Sequence, residues 1–357
     1  MSDIIVIGGG IAGVSAAARL SAHAKVTLIE GEDALGYHAS GRSAALFEEN
    51  YGLPSVIELN RASAAFHQPY LSPRGFLLVG RTSEDALFEA DATTMKCPEI
   101  SVKDARDLVP ILNDTITRAA YHADAFDIDT DRMIQDFAKT VRANGGEVRI
   151  GKPVTAITHD KQWSVRCGDE VTTADIIVNA AGAWADQIAG MAGIMPIGIT
   201  PQRRSMARIP APGGHNVAHW PIFFGVGEAW YAKPDAGALL VSPADEDAVE
   251  PHDAWADDMV LAEGFDRYAQ HVTEPVTRVE TSWAGLRSFA PDRTLVLGRD
   301  PENASFVWCA GQGGYGFQTA PAASQLLADI VFGHSPEIDH ATIASLSPAR
   351  FHERPPC

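Results

Sequence analysis

The sequence has few cysteines, few basic residues and no long hydrophobic run, and each shortage excludes a class of protein. Its 357 residues contain four cysteines (Cys97, Cys167, Cys309 and Cys357) without a Cys-x-x-Cys spacing, so we expect reduced structural thiols and no metal site. Lys and Arg number 28 against 46 Asp and Glu, which argues against a nucleic-acid partner. No apolar run approaches the ~20 residues of a membrane span, so no integral membrane segment is expected.

The composition otherwise suits a globular protein with a sizeable core. The sequence is 46% hydrophobic and long enough for two domains of ordinary size. The first predicted strand begins at Ile4, which leaves no room for a signal peptide ahead of the fold. We therefore expect a cytoplasmic protein, and peripheral association with a membrane stays open.

A glycine-rich turn between two predicted strands is the most specific feature of the sequence. An apolar strand at residues 4–7 precedes Gly8, Gly10 and Gly13, and a second strand ends at Glu30. Glycines at this spacing allow a tight strand-to-helix turn, close approach of a pyrophosphate and close helix packing. The helix N-terminus then faces the phosphates, and the carboxylate of Glu30 is placed for a ribose diol. The stretch predicts dinucleotide binding without distinguishing FAD from NAD.

The rest of the chain alternates between two kinds of pattern. Helices are predicted at residues 55–70, 83–95, 101–108 and 132–142, with strands at 75–79, 147–150, 154–159, 164–167 and 175–179. Residues 36–45 are predicted to form a loop that leads to a helix. From residue 199 to 281, short alternating strands at 205–209, 229–233 and 238–241 predict an antiparallel sheet, interrupted by a helix at 255–271. A strand at 306–310, a glycine-rich turn and a helix at 317–332 follow.

These patterns predict a mixed α/β fold of two interleaved domains. The first is a Rossmann-type dinucleotide-binding domain formed by residues 1–45, 127–198 and 286–357. The second is a substrate-binding domain built on an antiparallel β-sheet and formed by residues 46–126 and 199–285. A simple NAD dehydrogenase usually has a contiguous nucleotide domain, so this interleaving points away from that class.

Ordered motifs along nearly the whole chain identify a family. They are residues 36–45 (GYHASGRSAA), 127–131 (DIDTD), 179–184 (NAAGAW), 203–205 (RRS), 231–237 (YAKPDAG), 283–289 (WAGLRSF) and 312–319 (QGGYGFQT). With them the chain resembles the D-amino acid oxidase (DAO) family of FAD-dependent oxidoreductases, and within it the bacterial D-arginine dehydrogenases. The resemblance implies FAD as the cofactor. Because Ser288, Phe289 and Ala290 follow Arg287 where some relatives carry a flavin-linked cysteine, we expect the FAD to be non-covalent.

The resemblance also implies which residues hold FAD. The pyrophosphate would face the turn glycines and Ala12, and Glu30 with Gly31 would hold the adenosine ribose. Val154 would contact the adenine side, Gly182 would approach the cofactor, and a helix start near residue 42 would suit the phosphates. The remaining contacts expected along the phosphates and the flavin are Arg42, Ser43, Ala44, Ala45, Leu46, Gly313, Gly314, Tyr315, Gly316, Phe317 and Gln318.

An arginine in an apolar stretch marks the expected substrate site. Arg287 is costly to bury there unless it is paired, and a planar guanidinium holds a carboxylate at two points. The resemblance implies that Arg204 and Tyr231 also contact the substrate carboxylate and that Tyr51 is a mobile lid. It further implies that the backbone carbonyl of Gly314 contacts the substrate amine.

Two positions depart from the D-arginine dehydrogenase pattern. Phe76 stands where those enzymes have a guanidinium-binding glutamate, and Leu46 replaces a histidine. Both changes make the pocket more apolar, so we expect a neutral or hydrophobic D-amino acid. Glu48 or Glu49 could replace the missing negative charge, so a basic substrate stays open.

The expected reaction is oxidative deamination of a D-amino acid by hydride transfer to flavin N5, giving the imino acid and then a 2-oxo acid and ammonia. Sarcosine-type oxidases of the family use a lysine near the flavin, and the corresponding residues 238–241 contain none. A dehydrogenase that passes electrons to a quinone or another acceptor is therefore favoured. Two alternatives stay open: a glycine or sarcosine-type oxidase that produces hydrogen peroxide, and a non-catalytic electron-relay subunit.

Overall fold

The computed structural model describes residues 3–352 and contains two large β-sheets built from separated parts of the chain. The first sheet has six strands, and every strand pair is parallel except the pair at one edge. From that edge its strands are Val296–Arg299, Phe306–Ala310, Ile176–Asn179, Asp3–Ile7, Lys25–Ile29 and Glu147–Arg149. Strands from the beginning, middle and end of the chain therefore lie side by side.

The second sheet has nine strands and is antiparallel except for one pair. The exception joins Phe76–Gly80 to Ile222–Gly225. In chain order its strands are Phe76–Gly80, Glu99–Ile100, Arg118–His122, Thr200–Ile209, Ile222–Gly225, Tyr231–Asp235, Ala238–Ser242, Asp247–Ala248 and Thr281–Phe289. The predicted mixed α/β fold, with an antiparallel sheet beside a parallel one, is confirmed.

Two small sheets and a set of helices complete the described residues. One small sheet contains Leu46–Glu48, Leu71–Pro73 and Ala125–Ile128, and the other contains Ala156–His159, Trp163–Cys167 and Glu170–Ala174. The helices are α1 (Ile11–Leu20), α2 (Pro54–His67), α3 (Asp85–Thr94), α4 (Val102–Leu108), α5 (Thr130–Ala143), α6 (Ala185–Met191), α7 (Asp258–Ala269), α8 (Gly316–Phe332) and α9 (His340–Leu346). Within residues 3–352, none of these helices is both long and apolar enough to cross a membrane.

The main core lies between the parallel sheet and the helices that cover it. Helix α1 packs against α5 and α8, and α8 packs against α2. Ala16, Ala17 and Ala18 of α1 are buried, and their small side chains let these helices approach closely. The cysteines Cys97, Cys167 and Cys309 are buried and free, whereas Cys357 lies outside the described residues.

Three local predictions need correction. No α-helix begins near Arg42: a single 3-10 turn, Ala39–Arg42, leads instead into the strand Leu46–Glu48, because that segment pairs with Ala125–Ile128. The helix predicted to begin at residue 255 begins at Asp258, because the Asp257 side chain caps the backbone N–H groups of Met259 and Val260. The strand predicted at 229–233 is Tyr231–Asp235, because a 3-10 turn occupies Val226–Glu228.

The division into two interleaved domains stays a prediction. The strand Thr281–Phe289 spans the boundary predicted between residues 285 and 286. It pairs along its whole length with Thr200–Ile209, so it belongs to the antiparallel sheet, and its end approaches the glycine-rich turn of residues 311–316.

Candidate active site

One cavity of about 500 Å³ is lined by residues of both large sheets. It collects nearly all of the residues predicted to form a site. The lining includes Gly8, Gly10, Ala12, Glu30, Gly31, Arg42, Ser43, Ala44, Ala45, Leu46, Glu48, Tyr51, Phe76, Val154, Gly182, Arg204, Tyr231, Arg287, Gly313, Gly314, Gly316, Phe317 and Gln318. Gly13 and Tyr315 are the two predicted residues outside the lining: Gly13 is buried beneath the turn, and the Tyr315 ring packs against Tyr51 with ring centroids 5.2 Å apart.

At one end of the cavity, the first glycine-rich turn is too tightly packed for side chains. Gly8 has φ +110°, and a Cβ on it would lie 2.3 Å from the carbonyl oxygen of Ala180. A Cβ on Gly13 would lie 1.8 Å from the carbonyl oxygen of Gly8. The N-terminus of α1 is thereby held against the end of the first strand beside the cavity, where the Ile11 N–H donates to the Ser40 hydroxyl at 3.0 Å.

The Glu30 carboxylate is fixed by backbone donors at the same end. It accepts hydrogen bonds from the N–H of Gly9 and, at 2.8 Å, from the N–H of Glu32. A carboxylate held by the backbone in this way presents a rigid acceptor edge to a hydroxyl-bearing ligand.

The guanidinium of Arg42 is engaged by the protein itself. It donates to the backbone carbonyls of Ala254 and Ala284 at 2.8 and 3.0 Å, and it forms an ion pair with Asp253. Arg42 therefore links the 3-10 turn to the antiparallel sheet. Because Nη1 and Nη2 are already engaged, its predicted contact with a cofactor would have to come from other atoms of the residue.

At the other end, two arginines on neighbouring strands face the cavity. Arg287 lies directly against Gly314, where an added Cβ would be 2.9 Å from the guanidinium carbon. Burial lowers the pKa of Arg287, but nearby oxygens raise it by more, so the net shift is upward and the group stays charged. These oxygens belong to Tyr51, Tyr231, Glu228 and Glu246.

Arg203 and Arg204 point in opposite directions, as alternation along a strand requires. Arg203 forms ion pairs with Asp245 and Asp247 at 3.2 and 2.7 Å. Arg204 is 7% exposed and donates from Nη2 to Glu246 at 2.9 Å, while its Nε and Nη1 are buried without a hydrogen-bond partner. Unpaired buried guanidinium nitrogens are costly, so these two nitrogens are ready donors to an anionic ligand.

Two tyrosines complete the polar end of the cavity. The Tyr51 hydroxyl lies 3.3 Å from Glu228, which also stands 3.9 Å from Arg204. Burial is the main cause of the raised pKa of Tyr51, so this hydroxyl stays protonated as a donor. Tyr231 is 4% exposed and packs on Phe224 with ring centroids 5.5 Å apart.

The backbone of the predicted lid is held in place. The side-chain amide of Asn60 donates to the backbone carbonyls of Glu49 and Tyr51 at 3.2 and 3.1 Å. The Gln318 amide donates to the Tyr51 carbonyl at 3.3 Å and accepts from the Glu48 N–H at the same distance. Closure over the cavity is therefore expected to come from the Tyr51 side chain rather than from the whole segment.

Several lining residues were not predicted from the sequence, because they come from distant parts of the chain. They share an apolar or aromatic character and surround Phe76 and Leu46: Met95, Met206, Ile222 and Phe224. Among the polar lining residues, Glu228 of the 3-10 turn was also missed. Ile222 and Phe224 stand two positions apart, so the sequence could have indicated that they share one face of a strand. A single sequence does not show that this strand pairs with the strand of Phe76.

Lys233 is a further buried charged residue near the cavity, and it was not predicted from the sequence. It is two residues from Tyr231 on the same strand, is 8% exposed, and contacts the carbonyl oxygen of Ala44 and, at 2.8 Å, Asp127. Burial lowers its pKa, and Asp127 opposes that shift. Its ammonium group is thus used to hold the segment of residues 43–45 that lines the cavity.

Comparison with known proteins matches this arrangement to one family. A family model described as FAD dependent oxidoreductase (DAO) matches residues 3–330. The chain belongs to the DAO family of FAD-dependent oxidoreductases. It is 25% identical to a glycine oxidase of Pseudomonas putida, over 96% of this chain and 98% of that protein.

Solved DAO-type structures share the fold over nearly the full length. L-proline dehydrogenase from P. horikoshii superposes with a TM-score of 0.84 at 20% identity, covering 98% of both chains. L-α-glycerophosphate oxidase from Mycoplasma pneumoniae, solved with FAD bound, gives a TM-score of 0.80 at 18% identity and covers 93% of this chain and 94% of that one. The predicted FAD dependence is confirmed.

The cavity of this DAO-family member fits FAD in its chemistry. Gly10 lines the cavity, and an added Cβ there would have only the Ser40 hydroxyl within 4 Å. The backbone at the start of α1 is therefore open to a pyrophosphate. At the opposite end α8 begins at Gly316, and its N-terminal residues line the cavity. Two helix N-termini beside one cavity suit the phosphates and an electron-rich ring of the same ligand.

Proposed function

We propose that the protein oxidises a neutral or hydrophobic D-amino acid with FAD, as a dehydrogenase, to an imino acid that hydrolyses to a 2-oxo acid and ammonia. The observation that carries this proposal is the pair Arg204 and Arg287 at one end of a cavity that also has an apolar wall. The free donors of Arg204 and the charged Arg287 provide the two-point contact that a carboxylate needs. Relatives named as acting on glycine and on L-proline support an amino acid as the substrate class.

The binding geometry supports orientation as the main catalytic contribution. A carboxylate held by Arg287 lies beside the backbone of Gly314, whose carbonyl we propose as the acceptor for the substrate amine. When bound, FAD supplies the hydride acceptor. Fixing the substrate at its carboxylate and amine directs its Cα–H to one side, and the Tyr51 side chain excludes water from the opposite side.

The resemblance to D-arginine dehydrogenases supports the D configuration, and the side-chain pocket supports a neutral substrate. Phe76 and Phe224 stack with ring centroids 4.7 Å apart in that pocket. Leu46 and Met95 extend the apolar wall, so burial of an apolar substrate side chain is favourable at about 25 cal/mol per Å². We also propose that FAD is held without a covalent bond, since no cysteine follows Arg287 closely.

A glycine or sarcosine-type oxidase is the second candidate. The similarity to the glycine oxidase of Pseudomonas putida over almost the whole chain favours it. The substrate of such an enzyme has no side chain to fill the apolar pocket. The two candidates therefore differ in whether an apolar substrate side chain raises kcat/KM.

An anaerobic titration separates these candidates. The purified yellow protein is mixed with D- and L-forms of Met, Leu, Phe, Pro and Arg and with glycine and sarcosine, and loss of the flavin absorbance is followed. We expect D-Met, D-Leu or D-Phe to reduce the flavin with the highest kcat/KM. A lead of about tenfold for D-Arg would overturn the neutral specificity, and a lead for glycine or sarcosine would favour the second candidate.

The titration also decides whether amino acids are substrates at all. If no amino acid reduces the flavin while dithionite does, the proposed function is wrong. Heat or acid denaturation of the same preparation should release FAD into the supernatant, and FAD retained on the precipitated chain would contradict non-covalent binding.

A further inference from the structure

The two arginines at the polar end of the cavity share one carboxylate, that of Glu246. Its Oε1 accepts a hydrogen bond from Arg204 Nη2 at 2.9 Å and lies 3.9 Å from Arg287 Nη1. Glu246 does not line the cavity, whereas both arginines do. The contact uses one nitrogen of Arg204 and leaves its buried Nε and Nη1 without a hydrogen-bond partner. Glu246 thus joins the two guanidinium groups without occupying the two buried donors of Arg204.

A third arginine, Arg293, pairs with the same carboxylate. Its Nη2 donates to both oxygens of Glu246, at 3.1 and 2.9 Å. A hydrogen bond from Nη1 to Gln202 at 3.2 Å holds it in place, and its guanidinium carbon lies 3.9 Å from the centre of the Phe289 ring. Arg293 does not line the cavity. It can therefore act on a ligand in the cavity only through its charge and through Glu246.

The charges of this cluster leave room for one anion. Ion pairs of 2.9 to 3.9 Å link three arginines with two glutamates: Arg204, Arg287, Arg293, Glu228 and Glu246. One positive charge is left over, and a ligand carboxylate would neutralise it. Without Arg293, two guanidinium groups would be matched by two carboxylates, so the attraction for a further anion would fall.

We propose that Arg293 is a positioning residue for the substrate: by neutralising Glu246 it keeps the arginine pair of the cavity attractive to a carboxylate. The inference rests on the proposed function, since it takes Arg204 and Arg287 as the carboxylate contact. Glu246 has the complementary role of orienting Arg204, which an uncharged acceptor can also perform. Carboxylate binding then depends on the balance between Arg293 and Glu246 rather than on either residue alone.

The test compares a carboxylate with its uncharged isostere as ligands of the FAD-loaded protein. 4-Methylpentanoate and 4-methylpentanamide have the same shape and lack the α-amine, so neither is oxidised, and they differ in charge at the group expected beside Arg287. Calorimetry gives the Kd of each ligand at roughly pH 7.5, where the acid is ionised. Their ratio reports the contribution of the carboxylate, whereas loss of folding would weaken both ligands alike.

In Arg293→Gln we expect the Kd of the acid to rise about fivefold, a moderate effect because Arg293 is 43% exposed. The Kd of the amide should change by less than about twofold, because the amide carries no charge. Arg293→Lys keeps the positive charge and should bind the acid nearly as the unmodified protein does. Arg118→Gln removes an ion-paired arginine that does not line the cavity, and as the control it should change neither Kd.

The double variant Glu246→Gln/Arg293→Gln separates a charge effect from a structural one. Arg204 keeps an acceptor in this variant and one positive charge is again left over, so the Kd of the acid should return to within about twofold of its original value. A purely structural role would instead add the losses of the two substitutions. Glu246→Gln alone should bind the acid at least as tightly as the unmodified protein.

The inference is wrong if Arg293→Gln leaves the Kd of the acid unchanged, or if it weakens the acid and the amide equally. It is also wrong if the double variant binds the acid no better than Arg293→Gln. An unmodified protein that binds the acid no better than the amide would lack the carboxylate contact, and the proposed function would fall together with this inference. If the acid binds as expected but no amino acid reduces the flavin, the proposed reaction fails and the role of Arg293 stands.

Discussion

At the residue scale, the direction in which each side chain points decides its function more than its identity does. Arg203 and Arg204 are identical and adjacent, yet Arg203 pairs with Asp245 and Asp247 outside the cavity, whereas Arg204 keeps two buried nitrogens without a hydrogen-bond partner. The sequence predicted the cluster, and its role in binding a substrate carboxylate stays a prediction. It could not say that Glu246 would hold Arg204 or that Glu228 would face Tyr51, because those contacts depend on loops from distant parts of the chain.

Arg204→Lys and Arg203→Lys form a matched pair for testing the carboxylate contact. A lysine at position 204 cannot present two donors in a planar fork, so we expect a loss of about 2 kcal/mol, or roughly thirtyfold in kcat/KM. The loss should appear mainly in KM. Arg203→Lys should change kcat/KM by less than about threefold, since it alters only ion pairs outside the cavity. Equal losses in both variants would contradict the assignment of Arg204.

His67 gives a pH dependence of stability whose sign follows from its burial. Burial lowers the pKa of His67 below its ordinary value of 6.5, although its hydrogen bond to the carbonyl of Gln318 opposes the shift. The unfolded chain therefore binds more protons than the folded one just below pH 6.5, so stability falls as the pH decreases through that value. His67→Gln can keep the hydrogen bond without titrating, and its Tm should fall less between about pH 7.5 and 5.5. Identical decreases in both proteins would contradict this role.

At the element scale, short segments between regular elements carry most of the site. The sequence predicted the glycine turns at Gly8 and Gly313 because their patterns are local. It missed that Leu46–Glu48 forms a strand, since that outcome depends on pairing with Ala125–Ile128, about eighty residues away. It also missed that α2 holds the lid segment through Asn60, a polar residue buried inside a helix.

Asn60→Ala tests whether the Tyr51 segment is pinned. The variant leaves the carbonyls of Glu49 and Tyr51 without their side-chain donor, and such a loss costs about 1–3 kcal/mol when the groups are buried. We expect a lower Tm, faster amide hydrogen exchange at residues 48–52 and a raised KM. Asn144→Ala removes a single side-chain bond to Ser21 elsewhere and should leave exchange at residues 48–52 unchanged. Unchanged exchange in Asn60→Ala would show that Gln318 alone holds the segment.

At the scale of the whole molecule, the cavity exists because two sheets built from interleaved segments meet. The α/β pattern at both ends of the chain and the antiparallel pattern in its middle were enough to predict this arrangement. The side-chain pocket was less predictable, because Phe76 and Phe224 come together only through strand pairing across the second sheet. Local sequence patterns therefore predicted more of the residues at the cofactor end of the cavity than at the substrate end.

The position of the buried Lys233 side chain helps to predict which electron acceptor reoxidises the reduced enzyme. The strand Ala238–Ser242 contains no lysine, and Lys233 on the neighbouring strand is committed to Ala44 and Asp127 and does not line the cavity. We therefore expect the reduced enzyme to react slowly with oxygen and rapidly with a quinone or a dye. Stopped-flow reoxidation should give an oxygen rate well below kcat, with little hydrogen peroxide per turnover. Lys233→Met should not lower the rate of the reaction with oxygen further. Formation of one hydrogen peroxide per turnover at the rate of kcat would show that the protein is an oxidase.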